Sequence, residues 1–252
     1  MSAGTVYLVG AGPGAPDLLT VRAARLLERA DIVFHDALVH PDTLALAARA
    51  KHVAVGKRCG QLSTAQRFIN KQLVDAARRH AVVVRLKGGD PMLFGRAQEE
   101  IDALRAAGIA VEVVPGVSAG FAASSGLLQS LTQRGVSRSV VFLTPRVGEG
   151  EQSHDWALPA ANADTGVLYM SGRQADLISQ GLQRAGLPAS HPAVFVESAS
   201  LRGERVLPTR VGDLAATAAQ LSAGPALLLI GAVYEGIVAQ AERGSEEMRR
   251  TA

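Results

Sequence analysis

The stretch YLVGAGPGAPDLL, residues 7–19, places a glycine-rich turn directly after a short apolar run. Gly10, Gly12 and Ala15 have the spacing G-x-G-x-x-A, which is the dinucleotide-binding fingerprint of parallel α/β domains. Asp36 lies about 20 residues beyond the turn, where that fingerprint requires an acidic residue. The stretch therefore predicts a strand, a turn and a helix, and one hypothesis is an NAD-dependent oxidoreductase.

The prolines of the same stretch weaken the dinucleotide hypothesis. A pyrophosphate is held by backbone N–H groups that point at it from the turn and from the start of the helix. Pro13 lacks an N–H in the middle of the turn, and Pro16 lacks one near the predicted start of the helix. The turn is therefore a poor cradle for an anion, although a ligand can still approach its bare backbone.

Apolar runs alternate with helical patterns through the first half of the chain. The predicted strands are 5–10, 31–36, 51–56, 81–88 and 109–116. Helical spacing lies between them at 16–30, 64–79 and 94–107, and Pro16 stands where a helix can begin without losing a needed N–H. Strands that are apolar on both faces and alternate with helices predict a mostly parallel sheet covered on both sides.

The second half predicts a sheet of a different kind. Its predicted strands are 137–145, 165–172, 192–198, 204–211 and 226–236. Only the short segment SASLRG separates the third from the fourth, which favours a hairpin and a mixed sheet. We expect an α/β fold of two domains, 1–116 and 117–252, with 145–164 as a surface loop and a frayed tail after about residue 240.

Composition and charge exclude several classes of function. The chain is 48% apolar but only 4% aromatic, and no window approaches the roughly 20 uncharged residues of a membrane span. Cys59 is the single cysteine, so no intrachain disulfide can form, and we expect a soluble cytoplasmic protein. The net charge of +3 comes without blocks of like charge, which disfavours nucleic acid as a partner, and the six histidines lack metal-ligand spacing.

The predicted strand ends carry the candidate site, because ligands of open α/β sheets bind beyond the carboxyl ends of the strands. In RLKGGDPMLFGR, residues 85–96, two glycines allow a ligand to touch the backbone, and Asp90 before Pro91 is typical of a helix N-cap. Arg96 and Glu100 have the i,i+4 spacing of an ion pair on the following helix. Asp36 and Lys57, after the second and third strands, are candidates for an acid–base pair.

The combination of motifs along residues 5–240 resembles the tetrapyrrole methyltransferase family, and within it the uroporphyrinogen-III C-methyltransferases. The motifs that carry the resemblance occur in the family's order and spacing: VYLVGAGPGAPDLLT, DIVFHDALV, VGKRCGQLSTAQRFIN, VVRLKGGDPMLFGR, VVPGVSA and LYMSG. The resemblance implies two α/β lobes with a ligand cleft between them, in a homodimer. It implies two successive methyl transfers from S-adenosylmethionine to uroporphyrinogen III, which give precorrin-2 on the route to sirohaem and cobalamin-type tetrapyrroles.

The resemblance also implies roles for individual residues. Asp36 corresponds to a proton acceptor and Lys57 to a proton donor, while Arg96, also a catalytic candidate, and Arg134 correspond to positions that meet the tetrapyrrole. No metal is implied. The positions that correspond to contacts with the methyl donor are Pro13, Gly88, Gly89, Asp90, Leu93, Ser118, Ala119, Met170 and Ala199.

Three segments depart from the family pattern, and all of them lie in the substrate half of the implied site. QSLTQR at 129–134 replaces Ile-Pro-Leu-Thr-His-Arg, Pro145-Arg146 replaces Gly-His, and GRAQEE at 95–100 replaces a version richer in glycine. The donor motifs are intact. Three alternatives therefore stay open: a methyltransferase of a later corrin intermediate, an NAD-dependent oxidoreductase, and a tetrapyrrole-binding protein without catalytic activity.

Overall fold

The structure is a computed structural model that describes residues 3–55, 66–147, 152, 154–222 and 224–251. The chain divides into two compact units, residues 1–119 and 120–252. Among the described residues, no helix combines the length and the apolar character that crossing a membrane would require.

The first unit is built around a five-stranded parallel sheet. Its strands are β1 Thr5–Gly10, β2 Ile32–His35, β3 Lys51–Ala54, β4 Val82–Lys87 and β5 Ala110–Val114. Its helices are α1 Val21–Arg29, α2 Pro41–Ala45, α3 Gln66–Ala77 and α4 Ala97–Ala106. The strand order is β3-β2-β4-β1-β5 and every pairing is parallel, which confirms the predicted parallel sheet.

Apolar side chains cover both faces of this sheet. Successive residues of a strand point to opposite faces, so neighbouring residues join different buried clusters. Leu8 of β1 joins a buried cluster with Leu73 of α3 and Leu104 of α4. Val9, the next residue, joins a second buried cluster with Leu27 of α1. The sheet is therefore covered on both sides, and the loops at its carboxyl edge are where side chains can meet a ligand.

The second unit is built around a mixed five-stranded sheet. Its strands are β6 Val140–Leu143, β7 Thr165–Tyr169, β8 Pro192–Glu197, β9 Arg205–Arg210 and β10 Ala226–Gly231. Its helices are α5 Ala119–Gly126, which begins at the last residue of the first unit, α6 Ala157–Asn162, α7 Ala175–Arg184, α8 Leu214–Ala218 and α9 Glu235–Thr251. The order is β6-β7-β10-β8-β9, in which only β6 and β7 are parallel. The predicted hairpin of β8 and β9 and the predicted mixed sheet are confirmed.

Three predictions about helices and loops were wrong. The first helix begins at Val21 instead of Pro16, because the Thr20 hydroxyl accepts a hydrogen bond from the Ala23 N–H at 3.2 Å and caps it, whereas Pro16–Leu18 form a separate 3₁₀ turn. Helix α6 lies inside the segment 145–164 that was expected to be a loop. The tail continues helix α9, where Glu242 is bound by Arg210 at 2.6 Å.

Candidate functional site

Three loops leave the carboxyl edge of the first sheet side by side, because β4, β1 and β5 are neighbours in it. The loop after β1 and the loop after β4 form a two-way backbone bridge. The Gly12 N–H donates to the Gly89 carbonyl at 3.2 Å, and the Gly89 N–H donates to the Gly12 carbonyl at 2.7 Å. Pro13 and Gly88, which are both predicted to contact the methyl donor, therefore lie on loops that are bonded to each other.

The loop after β5 packs against the other two through glycines that leave no space for a side chain. A Cβ built on Gly10 would lie 2.6 Å from the Gly116 Cα. A Cβ built on Gly116 would lie 2.8 Å from the Gly10 Cα and would collide with the Gly89 carbonyl oxygen. Backbone atoms cannot rotate away as a side chain can, so both positions require glycine. This contact also brings buried Ser118 and the adjacent Ala119 to the same edge.

Asp90 ties the loop after β4 to the loop after β5. Its Oδ1 accepts a hydrogen bond from the Met92 N–H at 2.8 Å, and its Oδ2 accepts one from the Gly116 N–H at 2.9 Å. The expected helix N-cap role of Asp90 was wrong, since α4 begins only at Ala97. Its carboxylate ties these two loops together, while its backbone carbonyl accepts a hydrogen bond from the Leu93 N–H at 3.3 Å.

The glycine turn after β1 has few N–H groups to offer an anion. The Ala11 N–H donates to the Lys87 carbonyl at 2.7 Å, and the Gly12 N–H is used in the bridge to Gly89. Pro13 has no N–H at all. The N–H groups at three consecutive positions of the fingerprint are therefore unavailable to a pyrophosphate. The sequence indicated this loss only at the proline.

A network of buried charges underlies this edge and ends at Asp36. The Arg85 Nη2 lies 2.6 Å from Asp36 Oδ1, and the Arg85 Nε lies 3.0 Å from Glu100 Oε1. The Lys87 Nζ lies 3.0 Å from Glu100 Oε2, and the Gln66 amide donates to Glu100 Oε1 at 3.1 Å. The Arg85 side chain is 3% exposed, that of Glu100 is fully buried, and that of Asp36 is 29% exposed. Asp36 is therefore the solvent-facing end of the network.

Burial and neighbouring charges act in opposite directions on the two cations of β4. Burial lowers the pKa of Arg85, but the carboxylates of Asp36 and Glu100 outweigh it and leave that pKa above its ordinary value. Burial, helped by the positive charge of Arg85, lowers the pKa of Lys87 despite its contact with Glu100. The sequence prediction missed this pair, although two cations at alternate positions of an apolar strand were a readable signal.

Arg96 forms a two-pronged ion pair at the end of the loop after β4. Its Nε and Nη2 donate to the two carboxylate oxygens of Glu99 at 2.7 and 2.8 Å. The hydrogen bond from Arg96 lowers the pKa of Glu99. The expected partner Glu100 was wrong, because that side chain is turned into the buried network. Arg96 has a φ of 54° and is exposed, so its guanidinium faces solvent beside the turn.

The second unit holds the remaining predicted positions that the structure describes. Met170 directly follows β7 and Ala199 lies just after β8. Both strands run antiparallel to β10, so Met170 and Ala199 lie at the same edge of the mixed sheet. Arg134 lies elsewhere, exposed in the turn that joins Gln133 to Ser137. Lys57, the predicted proton donor, lies outside the described residues.

Comparison with known proteins gives the same assignment along most of the chain. The family model of the tetrapyrrole (corrin/porphyrin) methylases matches residues 5–215. The chain is 41% identical to uroporphyrinogen-III C-methyltransferase of Pseudomonas aeruginosa, over 94% of this chain and 97% of that protein. It is 43% identical to siroheme synthase of Psychrobacter sp. over 92% of this chain and 48% of that protein, so it spans about half the length of such relatives.

A solved structure extends the similarity to three dimensions. The crystal structure of uroporphyrin-III C-methyltransferase from Thermus thermophilus, complexed with S-adenyl homocysteine, superposes with a TM-score of 0.81 at 42% identity. The match covers 91% of this chain and 98% of that one. The fold predicted from the motifs is therefore confirmed.

Proposed function

The chain belongs to the tetrapyrrole (corrin/porphyrin) methylases, and from this premise we propose that it methylates uroporphyrinogen III twice, with S-adenosylmethionine as donor, to give precorrin-2. The observation that carries the proposal is the carboxyl edge of the parallel sheet. There the loops after β1, β4 and β5 are joined by hydrogen bonds and close backbone contacts. They carry six of the residues that are predicted to contact the methyl donor: Pro13, Gly88, Gly89, Asp90, Ser118 and Ala119.

The chemistry of this edge fits a sulfonium donor better than a dinucleotide. The Ala11 and Gly12 N–H groups of the glycine turn are used internally and Pro13 has none, so a pyrophosphate would find a poor cradle, whereas S-adenosylmethionine carries no phosphate. The exposed Gly88 and the half-buried Pro13 offer a surface without protruding side chains. When bound, the donor supplies an electrophilic methyl group. Met170 and Ala199 of the second unit are proposed further contacts.

The proposed substrate carries eight carboxylates, so arginine side chains are suitable partners for it. Arg96 presents a guanidinium already oriented by Glu99, and charge-assisted hydrogen bonds from such a group are strong and directional. Arg134 is exposed and is proposed as a second contact. The main catalytic contribution is alignment, because the pyrrole carbon is already electron-rich and needs only to be held in line with the methyl group.

Asp36 is proposed to accept the proton that the macrocycle loses after methylation. The C–H bond breaks, its electron pair stays in the macrocycle and neutralises the positive charge left by the methyl transfer, and the proton passes to the carboxylate. The Asp36 side chain is 29% exposed, so the proton can pass on to solvent. Lys57 is proposed as the proton donor on the basis of the family pattern.

A mass measurement on the product tests the function directly. The protein is incubated without oxygen with S-adenosylmethionine and uroporphyrinogen III, and two added methyl groups are expected. One methyl group, or none with this substrate but turnover of a later corrin intermediate, would assign the chain to a different member of the family. Tight binding of S-adenosylhomocysteine without turnover would favour a binding protein, and binding of a nicotinamide cofactor would defeat the proposal.

Replacing Arg96 by Ala is expected to reduce turnover without releasing the donor. The variant loses a charge-assisted contact to substrate carboxylates, so kcat/KM for the tetrapyrrole should fall about 100-fold, while the Kd for S-adenosylhomocysteine stays within about twofold. Steady-state kinetics and calorimetry measure the two effects. Arg105→Ala is the control, since Arg105 is an exposed cation in the last turn of helix α4, which begins directly after Arg96. Methyl transfer at the rate of the unchanged protein would contradict the assignment of Arg96.

The assembly and the pathway are proposed from the family. We propose a cytoplasmic homodimer whose product feeds sirohaem and cobalamin-type synthesis. Two apolar side chains of the second unit, Phe121 and Leu128, are 52% and 93% exposed, and the proposed dimer interface covers them. Light scattering should then give twice the chain mass of 26.2 kDa, and a single chain mass at micromolar concentration would contradict the dimer.

A further inference from the structure

The buried charges beneath Asp36 are not explained by stability. Two positive and two negative side chains, Asp36, Arg85, Glu100 and Lys87, alternate along one line of contacts. Burying charges costs solvation, so a paired set gives little net stability over apolar residues of the same volume. The other β4 residues that are fully buried, Val83, Val84 and Leu86, are apolar. The buried charges of Arg85 and Lys87 therefore indicate that these two residues have a role beyond packing.

The Arg85 guanidinium is held at all three of its nitrogen atoms. Its Nε donates to Glu100 at 3.0 Å, its Nη1 donates to the Leu86 carbonyl at 3.1 Å, and its Nη2 donates to Asp36 at 2.6 Å. Glu100 is fixed in turn by Lys87 and Gln66. A planar group with two anchored nitrogens has little freedom left, so the third nitrogen sets where the Asp36 carboxylate stands.

We propose that Arg85 is a positioning residue that holds the Asp36 carboxylate at the carboxyl edge of the sheet for the proton transfer. This rests on the proposed function and extends it to residues beneath the site. Glu100 acts one step further back, because it holds Arg85, and Lys87 acts behind it, because it holds Glu100. Lys87 also lies close to Gly95, because a Cβ built on Gly95 would be 3.1 Å from the Lys87 Cε, so the network reaches the loop that carries Arg96.

The Arg85→Lys variant tests this role with the charge retained. Lysine has a single nitrogen and cannot reach Glu100 and Asp36 in the fixed fork of a guanidinium. We expect kcat to fall about 10- to 100-fold, because small misplacements of a catalytic group are costly, while the Kd for S-adenosylhomocysteine stays within about twofold. Arg210→Lys is the matched control, since Arg210 also bridges two carboxylates, Glu235 and Glu242, and kcat should not change.

A double-mutant cycle separates positioning from general damage to the fold. If Arg85 acts through Asp36, R85K should lower kcat in the unchanged protein but alter it less than about twofold in the D36N background. An equal loss in both backgrounds, a parallel loss of donor affinity, or an R85K rate within twofold of the unchanged protein would each overturn the proposal.

Two further measurements keep the outcomes distinct. If R85K does not fold, Asp36→Glu probes the same geometry from the half-exposed end, because it moves the carboxylate by one methylene away from where Arg85 fixes it. Turnover of D36E at the full rate would overturn the proposal. The unchanged protein is assayed first: absence of methylated product there defeats the proposed function, whereas product with unaffected variants defeats only the role of Arg85.

Discussion

The Gly116→Ala variant is expected to lose binding of the methyl donor. The added Cβ would lie 2.8 Å from the Gly10 Cα and would collide with the Gly89 carbonyl oxygen, so the loops after β1, β4 and β5 must move apart. Overpacking of this kind costs about 3 kcal/mol. If this cost opposes binding of S-adenosylhomocysteine, the affinity for that ligand falls about 100-fold. Calorimetric titration with S-adenosylhomocysteine measures it.

A second glycine provides the matched control for this variant. A Cβ added to Gly203, in the turn between β8 and β9, would have no atom within 4 Å, and the residue has no positive φ, so Gly203→Ala should bind the donor normally. Circular dichroism of both variants checks that they fold. If Gly116→Ala binds S-adenosylhomocysteine with the affinity of the unchanged protein, the three loops do not form the donor site.

The sheets could be predicted from the sequence because their signal is local. Most strands are apolar runs of four to six residues between turn residues, and burial of both faces of β1 leaves that strand without polar alternation. The short segment between β8 and β9 permits only neighbouring antiparallel strands. Helix boundaries were less accurate, since Thr20 and Pro16 are both good starting residues and only packing decides between them.

The contacts of the site were harder to predict because they join residues far apart in sequence. Spacing alone pairs Arg96 with Glu100, yet burial of Glu100 against Arg85 and Lys87 leaves Glu99 as the partner. Asp90 has the local pattern of an N-cap, but its second oxygen bonds Gly116, which is 26 residues away. Such choices depend on which loops become neighbours, and that is settled by the strand order.

The Asp36→Asn variant should show the largest loss of turnover. The amide keeps the size of the side chain but cannot accept the proton from the methylated macrocycle, so kcat should fall by about 100-fold or more, the range that general acid–base groups contribute. Donor binding should stay within about twofold, since Asp36 lies after β2 and contacts Arg85 instead of the three donor loops. Single-turnover kinetics with mass detection measure the effect.

The control for this loss is Asp42→Asn, which removes an exposed carboxylate from helix α2 of the same unit. Its kcat should equal that of the unchanged protein, which excludes a general effect of one negative charge.

The step that becomes slow in D36N decides the role of Asp36. If methyl addition becomes slow together with proton loss, Asp36 contributes to alignment of the substrate. If the macrocycle gains its methyl group at the normal rate and only proton release is delayed, Asp36 is the base. Full turnover in D36N would remove Asp36 from the mechanism altogether.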